Sequence, residues 1–139
     1  MDNWLRRKLF QYFNLPMRRD DPYIEDRAGR RFYYDLSGEP VNDIWYWYKG
    51  RPRARIQLVW RPKQVLRLAD IVIHDRKFRG QGLGTAMFQQ LLVIARTHDV
   101  RAIIGHIVNT EGPSIARQQH FYSEQGCTVE EEMFYIKVG

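Results

Sequence analysis

The sequence predicts a single α+β domain of the α/β type, built on one mixed, mostly antiparallel sheet with helices on both faces. Three early runs are rich in aromatic and β-branched residues and are separated by the turn-forming segments SGEPVN and GRPR, which is typical of antiparallel hairpins. These runs are RRFYYDL, DIWYWYK and ARIQLVW. Two amphipathic segments then alternate with apolar runs, as expected of helices that cover a sheet. The 139 residues, 44% of them hydrophobic, are enough for one hydrophobic core.

The predicted elements run from an N-terminal helix to a closing strand. Apolar residues recur on one helical face from Asn3 to Asn14, Pro16 ends this helix, and the polar stretch MRRDDPYIEDRAGR predicts a loop. VLRLADIVI is largely apolar, as expected of a strand that is buried on both faces. The rest predicts a helix from Gln81 to His98, a strand in RAIIGHIV, a helix from Ser114 to Gln125 and a closing strand in TVEEEMFYIKV.

Charge is distributed unevenly along the chain, which has a formal net charge of +6. Residues 1–80 carry 18 Lys and Arg against 10 Asp and Glu, whereas residues 81–139 carry 4 against 6. The N-terminal half therefore either meets an anionic partner, such as nucleic acid, an acidic peptide or ligand phosphates, or presents a solvated basic surface. Exposed aromatic residues on the first strands could also form the face of a homodimer.

Several sequence features bear on where the protein resides and what it binds. No apolar run approaches the roughly 20 residues that span a bilayer, and MDNWLRRKLF lacks the apolar core of a signal peptide. Cys127 is the single cysteine, which excludes an internal disulfide and fits a reducing compartment. No Cys and His cluster has metal-ligand spacing, so we predict no metal site. We expect a cytoplasmic protein without a membrane partner.

The segment RGQGLG, residues 79–84, lies between the apolar run LADIVI and the amphipathic run TAMFQQLLVIA. Alternate glycines permit positive φ angles and the close approach of another molecule to the backbone. The start of a helix adds unpaired N–H groups and the positive end of the helix dipole. The segment therefore predicts a binding site for a phosphate group.

Three well-known glycine motifs do not fit this segment. A dinucleotide-binding fingerprint that starts at Gly80 requires glycine at position 85, which is Thr85. A P-loop requires Gly-Lys-Ser/Thr after four intervening residues, and no such lysine is present. The catalytic segments that accompany a protein-kinase glycine loop are absent as well.

The segment resembles the coenzyme A loop of the GCN5-related N-acetyltransferase (GNAT) family. That loop reads Gln/Arg-x-x-Gly-x-Gly/Ala after a buried strand, and Arg79, Gly82 and Gly84 match it. A second match, FYSEQGC, resembles the family's Tyr-x-x-x-Gly-Phe through Tyr122 and Gly126, with a cysteine in place of the aromatic residue. The resemblance covers about residues 65–130, in the order loop, amphipathic helix, strand, helix and Tyr-x-x-x-Gly. It implies a GNAT-like fold, and the single short N-terminal helix departs from the family's usual pattern.

The resemblance also implies acetyl-CoA as the co-substrate. The pyrophosphate would rest on the loop, and the pantetheine arm would pair like an added strand with the strand before it, where one N–H would polarise the thioester carbonyl. An asparagine after the next strand would contribute too. The coenzyme-binding residues implied are Ile71, Val72, Ile73, Arg79, Gly80, Gln81, Gly82, Leu83, Gly84, Thr85 and Asn109.

Direct acetyl transfer to an amine needs a base for the amine and an acid for the departing thiolate. By its position in the motif Tyr122 is the acid, or else an ordinary core aromatic residue. Asp70, between apolar neighbours, is one candidate base, because desolvation there would favour its protonated form. His106 in the following strand is the other, because imidazole titrates near neutral pH. Each has a structural alternative, an ion pair or strand-edge cap for Asp70 and a hydrogen-bonded core position for His106, and a water-relayed base or none also remains open.

The resemblance implies an N-acetyltransferase that acts on a primary amine. The acceptor, whether a small molecule, a protein or an aminoacyl-tRNA, does not follow from the sequence. Two alternatives from other classes stay open. One is a non-catalytic coenzyme A-binding module with the same fold, and the other is a module that binds single-stranded nucleic acid through its basic, aromatic strands.

Overall fold

The computed structural model describes residues 4–5, 8, 13–16, 20–108 and 113–139. The described elements are, in order, β1 (Tyr23–Glu25), β2 (Arg31–Ser37), β3 (Asp43–Tyr48), β4 (Arg51–Arg61), β5 (Val65–Ile73), a 3-10 turn (Arg76–Phe78), α1 (Leu83–Thr97), β6 (Ala102–His106), α2 (Ile115–Glu124), β7 (Thr128–Glu130) and β8 (Met133–Lys137). The strands form one sheet in the order β1-β2-β3-β4-β5-β6-β8-β7. β5 and β6 are parallel, and the pairs β1/β2, β2/β3, β3/β4, β6/β8 and β7/β8 are antiparallel. The predicted mixed, mostly antiparallel α+β fold is confirmed.

The first strand, β1, lies in the segment that the sequence predicts to be a loop. Tyr23 of β1 pairs with Tyr33 of β2, and their rings meet edge to face with centroids 5.9 Å apart. The Arg31 guanidinium lies 4.6 Å from the centre of the Tyr23 ring. A cross-strand aromatic pair of this kind contributes about 0.2–1 kcal/mol to the stability of the sheet. Three residues are too few to show the alternation of apolar and polar residues that predicts a strand. The loop prediction is therefore wrong for these three residues.

The chain divides into two compact units, of which the first comprises residues 1–57 and 70–87. Its strands alternate between a buried and a more open face. In β3, Ile44 and Tyr46 are fully buried, whereas Trp45 and Trp47 point to the other face and are partly exposed. The buried hydrophobic side chains among the described residues of this unit are Phe32, Ile44, Tyr46, Ala54, Ile56, Phe78, Leu83 and Met87.

The second unit comprises residues 58–69 and 88–139. Its parallel pair is in register from Val65↔Ala102 to Leu68↔Gly105. Gly105 also pairs with Phe134 of β8, where a Cβ at position 105 would collide with the phenyl ring. The apolar core residues of this unit include Leu66, Leu68, Phe88, Leu91, Leu92, Ala95, Ile103, Ile107, Tyr122 and Phe134. Glycine at 105 is therefore required for the packing of one core aromatic ring.

The C-terminal run TVEEEMFYIKV forms two strands and not the single strand that the sequence predicts. β7 and β8 pair antiparallel from Thr128↔Tyr135 to Glu130↔Met133. Glu131 in the turn between them has φ +53°. Three consecutive glutamates interrupt the apolar alternation, which is the local signal for this turn.

The two long helices confirm the sequence predictions to within two residues at each end. Ser114 caps α2 by accepting the Arg117 N–H at 3.2 Å, and Gly126 follows its end with φ +91°. The helix predicted for Asn3 to Asn14 falls largely outside the described residues and is not confirmed. Asn14 itself ties the chain to the sheet, because its amide donates to the Arg31 carbonyl at 2.9 Å and its side-chain oxygen accepts the Lys49 N–H at 2.8 Å. Within the described ranges, neither long helix has the length and hydropathy needed to cross a membrane.

Candidate functional site

The glycine-rich segment connects the 3-10 turn to α1. Gly80 and Gly82 have φ angles of +69° and +83°, in the region that favours glycine. The Gly82 carbonyl accepts the Ala86 N–H at 3.1 Å, so Gly82 stands at the N-cap. The N–H groups of Leu83 and Gly84, in the first turn, therefore have no carbonyl of the same helix as an acceptor. A Cβ at Gly80 would have no atom within 4 Å. This open backbone at the positive end of a helix fits a pyrophosphate.

The Arg79 side chain is tied to the end of β5. Its guanidinium donates two hydrogen bonds to the Ile73 carbonyl, at 3.1 and 2.9 Å. Because this carbonyl already accepts two hydrogen bonds, a pantetheine arm that pairs with β5 would have to use other backbone groups of Ile71, Val72 and Ile73. All three isoleucine and valine residues at this end of the strand are only partly buried.

Arg27, in the turn between β1 and β2, contacts the outer side of the glycine segment and was not singled out from the sequence. Its backbone N–H donates to the Gln81 carbonyl at 2.7 Å, and its guanidinium donates to the Gly80 carbonyl at 3.1 Å. Its aliphatic stem covers Gly82, where a Cβ would lie 2.8 Å from the Arg27 Cγ. Arg27 therefore holds two loop carbonyls, which fixes the direction of the peptide groups whose amides would receive the phosphate.

The turn that presents Arg27 is organised by Asp26, a charged residue that is buried. Its carboxylate accepts the backbone N–H groups of Ala28 and Arg30, both at 3.0 Å, and the Arg30 side chain at 2.7 Å. Such an Asp-centred turn is visible in the sequence DRAGR. Its contact with a segment 53 positions away is not visible there, because nothing local specifies it.

Part of the basic surplus of the N-terminal half surrounds Phe78, in the same unit as the glycine segment. Arg30, Lys77 and Arg53 lie 4.8, 5.1 and 5.4 Å from the centre of its ring. Asp75 pairs with Arg53 at 3.3 Å and with Lys77 at 3.9 Å, and Asp26 pairs with Arg30 at 2.7 Å, so two carboxylates partly neutralise these three positive charges. The cluster leaves net positive charge beside the proposed phosphate site.

The two candidate bases belong to different units, and both are exposed. Asp70 and its neighbour Ala69 are exposed, so β5 is not buried on both faces at this point. The prediction that the Asp70 carboxylate is desolvated is therefore wrong. The alternation of buried and more exposed side chains along β5 breaks at these two residues, and the largely apolar sequence of the strand does not predict this. His106 ends β6 opposite Met133 and is exposed, so it is not a core histidine.

Tyr122 lies in α2, inside an aromatic cluster of the second unit. It is only 6% exposed, and its ring stacks on Phe134 with centroids 3.7 Å apart and planes 10° from parallel. Phe88 and Phe121 approach it edge to face at 6.3 and 5.2 Å. Gly105 makes room for Phe134 and so for this stack. The ring therefore has the packing of a core residue, and an acid role would rest on its hydroxyl alone.

The remaining predicted residues have the following positions. Asn109 lies outside the described residues. Thr85 is in the first turn of α1. In the part of the chain that the structure describes, no three His, Cys, Asp or Glu side chains come close enough to hold a metal ion.

The family to which this chain belongs is shown by a match to a protein-family model. The model of the acetyltransferase (GNAT) family matches residues 2–127. The chain belongs to the GNAT acetyltransferase family. No curated protein matches the sequence.

Solved structures share the GNAT fold with this chain at low sequence identity. A GNAT-family protein from Desulfovibrio desulfuricans has 14% identity and a TM-score of 0.61, with coverage of 70% of this chain and 68% of that one. Ard1 from Thermoplasma volcanium has 17% identity and a TM-score of 0.58, with 72% of each chain covered. PaiA N-acetyltransferase from Thermoplasma acidophilum, solved in complex with coenzyme A, has 12% identity and a TM-score of 0.58, with 68% and 59% covered. At such identities the likeness concerns the fold.

The contribution of Arg27 to the glycine loop of this GNAT protein can be tested by mutation. We expect Arg27→Ala to weaken coenzyme A binding about three- to tenfold, the size of one net hydrogen bond, because the Gly80 carbonyl loses its guanidinium donor. Calorimetry measures the affinity. Arg76→Ala is the matched control, since it removes an exposed positive charge from the 3-10 turn without a side-chain contact to the loop among the described interactions. An equal loss in both variants would show that only net charge matters.

The burial of Cys127 can also be tested. This cysteine stands where the GNAT motif usually has an aromatic residue. Burial raises the pKa of its thiol to about 11. The native thiol should therefore react with iodoacetamide much more slowly at pH 8 than the unfolded protein does. Because the folded pKa lies above the unfolded value of 9.0, this thiol's contribution to stability is complete below pH 9 and is lost as the pH rises toward 11. Equal native and unfolded reaction rates would contradict this packing.

Proposed function

We propose that this protein is an acetyl-CoA-dependent N-acetyltransferase that moves the acetyl group directly to a primary amine. The observation that carries the proposal is the glycine segment before α1, with positive φ at Gly80 and Gly82 and open space at Gly80, in a chain of the GNAT family. The coenzyme A complex of the PaiA relative supports the same ligand class.

Acetyl-CoA supplies the acetyl group as an activated thioester. The Arg79 N–H already donates to the Arg76 carbonyl at 3.0 Å, so the amides of Gly80 to Thr85 are the candidates that would hold the pyrophosphate. Arg27 would keep the loop carbonyls turned away from it. Ile71 and Val72 would align the pantetheine arm, and a backbone N–H of this strand would polarise the thioester carbonyl. Asn109 stays a predicted contact.

The proton transfers need two groups of this chain. A protonated amine cannot attack, so a base has to take its proton, and Asp70 and His106 are the candidates. Both are exposed and can exchange protons with solvent water directly. Tyr122 would donate a proton to the departing thiolate through its hydroxyl. Its aromatic stack would fix the direction of that bond.

The two bases can be separated by their pH profiles. We expect one of Asp70→Asn and His106→Gln to lose the ascending limb of kcat/KM against pH, because that limb reports the base of the free enzyme. The measurement is thiol release at saturating acetyl-CoA from pH 3.5 to 9, a range that covers the ordinary titrations of both carboxyl and imidazole groups. If both variants keep the parental profile, neither side chain is the base, and a water chain or an amine already neutral in solution becomes the better account.

The function itself is tested by thiol release from acetyl-CoA across polyamines, aminoglycosides, peptides and aminoacyl-tRNA. Amine-dependent release, with the acetylated product seen by mass spectrometry, would establish the activity. Coenzyme A binding without turnover on any amine would instead favour the non-catalytic module. The nucleic-acid alternative is not favoured, because alternate aromatic residues of its strands, Phe32 and Tyr46, are fully buried. The acceptor class and a cytoplasmic location stay predictions.

A further inference from the structure

The connecting segment, residues 74–79, links β5 to the glycine loop and is held by one arginine of the neighbouring strand β4. Arg53 is largely buried, with 14% of its side chain exposed. Its carbonyl accepts the His74 N–H at 2.8 Å, and its guanidinium donates to an Asp75 carboxylate oxygen at 3.3 Å. The same guanidinium lies 5.4 Å from the centre of the Phe78 ring. Arg53 therefore contacts the connecting segment at three points.

The Arg53 side chain is fixed from a second direction by the end of β3. Its Nε–H donates to the Tyr48 carbonyl at 3.1 Å, while Nη1 donates to Asp75. A guanidinium is a rigid planar fork of donors, whereas a lysine ammonium is a point charge on a flexible stem. Lysine at position 53 would therefore keep the positive charge and lose this two-directional geometry.

Asp75 uses its two carboxylate oxygens for different contacts. Oδ1 accepts the Lys77 N–H at 3.2 Å, which caps the 3-10 turn, and Oδ2 accepts the hydrogen bond from Arg53. The turn ends at Phe78, which is 1% exposed. Its ring meets one aromatic ring of β2 and one of β3 edge to face, each with centroids 5.2 Å apart. The cap and the buried ring thus fix both ends of the turn.

The glycine loop follows this turn directly. The Arg79 N–H donates to the Arg76 carbonyl at 3.0 Å, and the Arg79 guanidinium donates to the Ile73 carbonyl, so the connecting segment is hydrogen-bonded at both ends. Gly80, with φ +69°, is the next residue. A rotation of the connecting segment would therefore turn the loop amides as well. A phosphate held by several N–H groups needs all of them at hydrogen-bond distance and angle.

We propose that Arg53 and Asp75 are positioning residues for coenzyme A, which act through the connecting segment on the direction of the loop amides. This rests on the proposed function, because it takes coenzyme A as the ligand of the loop. Charge alone predicts the opposite effect for Asp75, since removal of a carboxylate near the site strengthens the binding of an anion. Positioning predicts weaker binding, because the cap and the Arg53 contact are both lost. The sign of the change in affinity separates the two.

The affinity is measured by calorimetry with coenzyme A on the full chain, at a temperature well below the melting transition of every variant. We expect Asp75→Ala and Arg53→Met to weaken binding at least about fivefold, the size of one net hydrogen bond. Asp75→Asn keeps an oxygen for the cap and should lose less. Arg53→Lys keeps the charge and should still be weaker than the parent at least about threefold. Parental or tighter binding by Asp75→Ala, or parental binding by Arg53→Lys, would overturn the proposal.

Arg55→Met is the matched control on the same strand. Arg55 also pairs with a carboxylate, that of Asp43 at 2.8 Å, and lies 4.9 Å from the centre of the Trp45 ring. Its side chain has no direct contact with the connecting segment among the described interactions. Arg55→Met should therefore change coenzyme affinity less than about twofold. An equal loss in Arg55→Met and Arg53→Met would show that any buried charge of β4 has this effect, and would refute a specific role of Arg53.

A second measurement needs no coenzyme and follows the amide signals of the three loop glycines in chain labelled with ¹⁵N-glycine. These signals should shift in Arg53→Lys and Asp75→Ala and stay in place in Arg55→Met, with Gly126 of the second unit as the internal reference. Variants that lower only the melting temperature, with parental loop signals and affinity, would mark a purely structural role and overturn the proposal. If the loop signals move but the parental chain does not bind coenzyme A, Arg53 still sets the loop and it is the proposed function that fails.

Discussion

Gly82→Trp is expected to weaken acetyl-CoA binding about a hundredfold, equivalent to about 2.7 kcal/mol. The φ of +83° costs a side-chain-bearing residue about 1–2 kcal/mol, and the new Cβ would lie 2.8 Å from the Arg27 Cγ. The indole would displace Arg27 or occupy the amide cradle, and either outcome removes the surface that the pyrophosphate needs. Calorimetry with coenzyme A and with acetyl-CoA measures the loss.

A glycine outside the loop provides the matched control for this variant. Gly126 has a φ of +91°, and a Cβ there would meet only Ile136 at 3.8 Å. Gly126→Ala should therefore lower thermal stability through a similar backbone strain and leave coenzyme affinity unchanged. Circular dichroism checks that both variants fold. Unaltered coenzyme affinity in a folded Gly82→Trp protein would refute the cofactor assignment.

Tyr122→Phe should lower kcat about ten- to a thousandfold on the true acceptor while coenzyme affinity changes little. Phenylalanine keeps the ring that stacks on Phe134 and its edge contacts with Phe88 and Phe121, so the packing of the cluster survives. The hydroxyl proton is lost, and with it the proposed donor to the thiolate. Such a pattern, low kcat at constant affinity, is that of an interaction made mainly in the transition state.

Tyr135→Phe is the matched control, because Tyr135 is an exposed tyrosine of β8 in the same unit. It should retain full activity. The acid role is wrong if Tyr122→Phe does so too, and Tyr122 is then a packing residue of the aromatic cluster. The fold and the coenzyme assignment do not depend on that result.

Local patterns were sufficient for most elements. The periodicity of residues 83–97 and the Ser114 and Gly126 boundaries of α2 are consequences of neighbouring residues, so the sequence carries them directly. β1 is different, because three residues in a polar stretch become a strand only by pairing with β2. The split of the C-terminal run into β7 and β8 was likewise missed, although its glutamates carried a turn signal.

For the candidate site, the glycine segment, its place before a helix and the Tyr-x-x-x-Gly motif can all be predicted from the amino-acid sequence. These depend on residues close in the chain and on backbone angles that few residue types adopt. The folded chain was needed to see that Arg27 supports the loop, that Asp70 is exposed and that Gly105 accommodates the ring on which Tyr122 stacks. Each of these features depends on a contact between residues that are far apart in the sequence, or on how much of a side chain the neighbouring strands cover. No local pattern encodes such contacts, because the free energy that selects them comes from the packing of the folded chain.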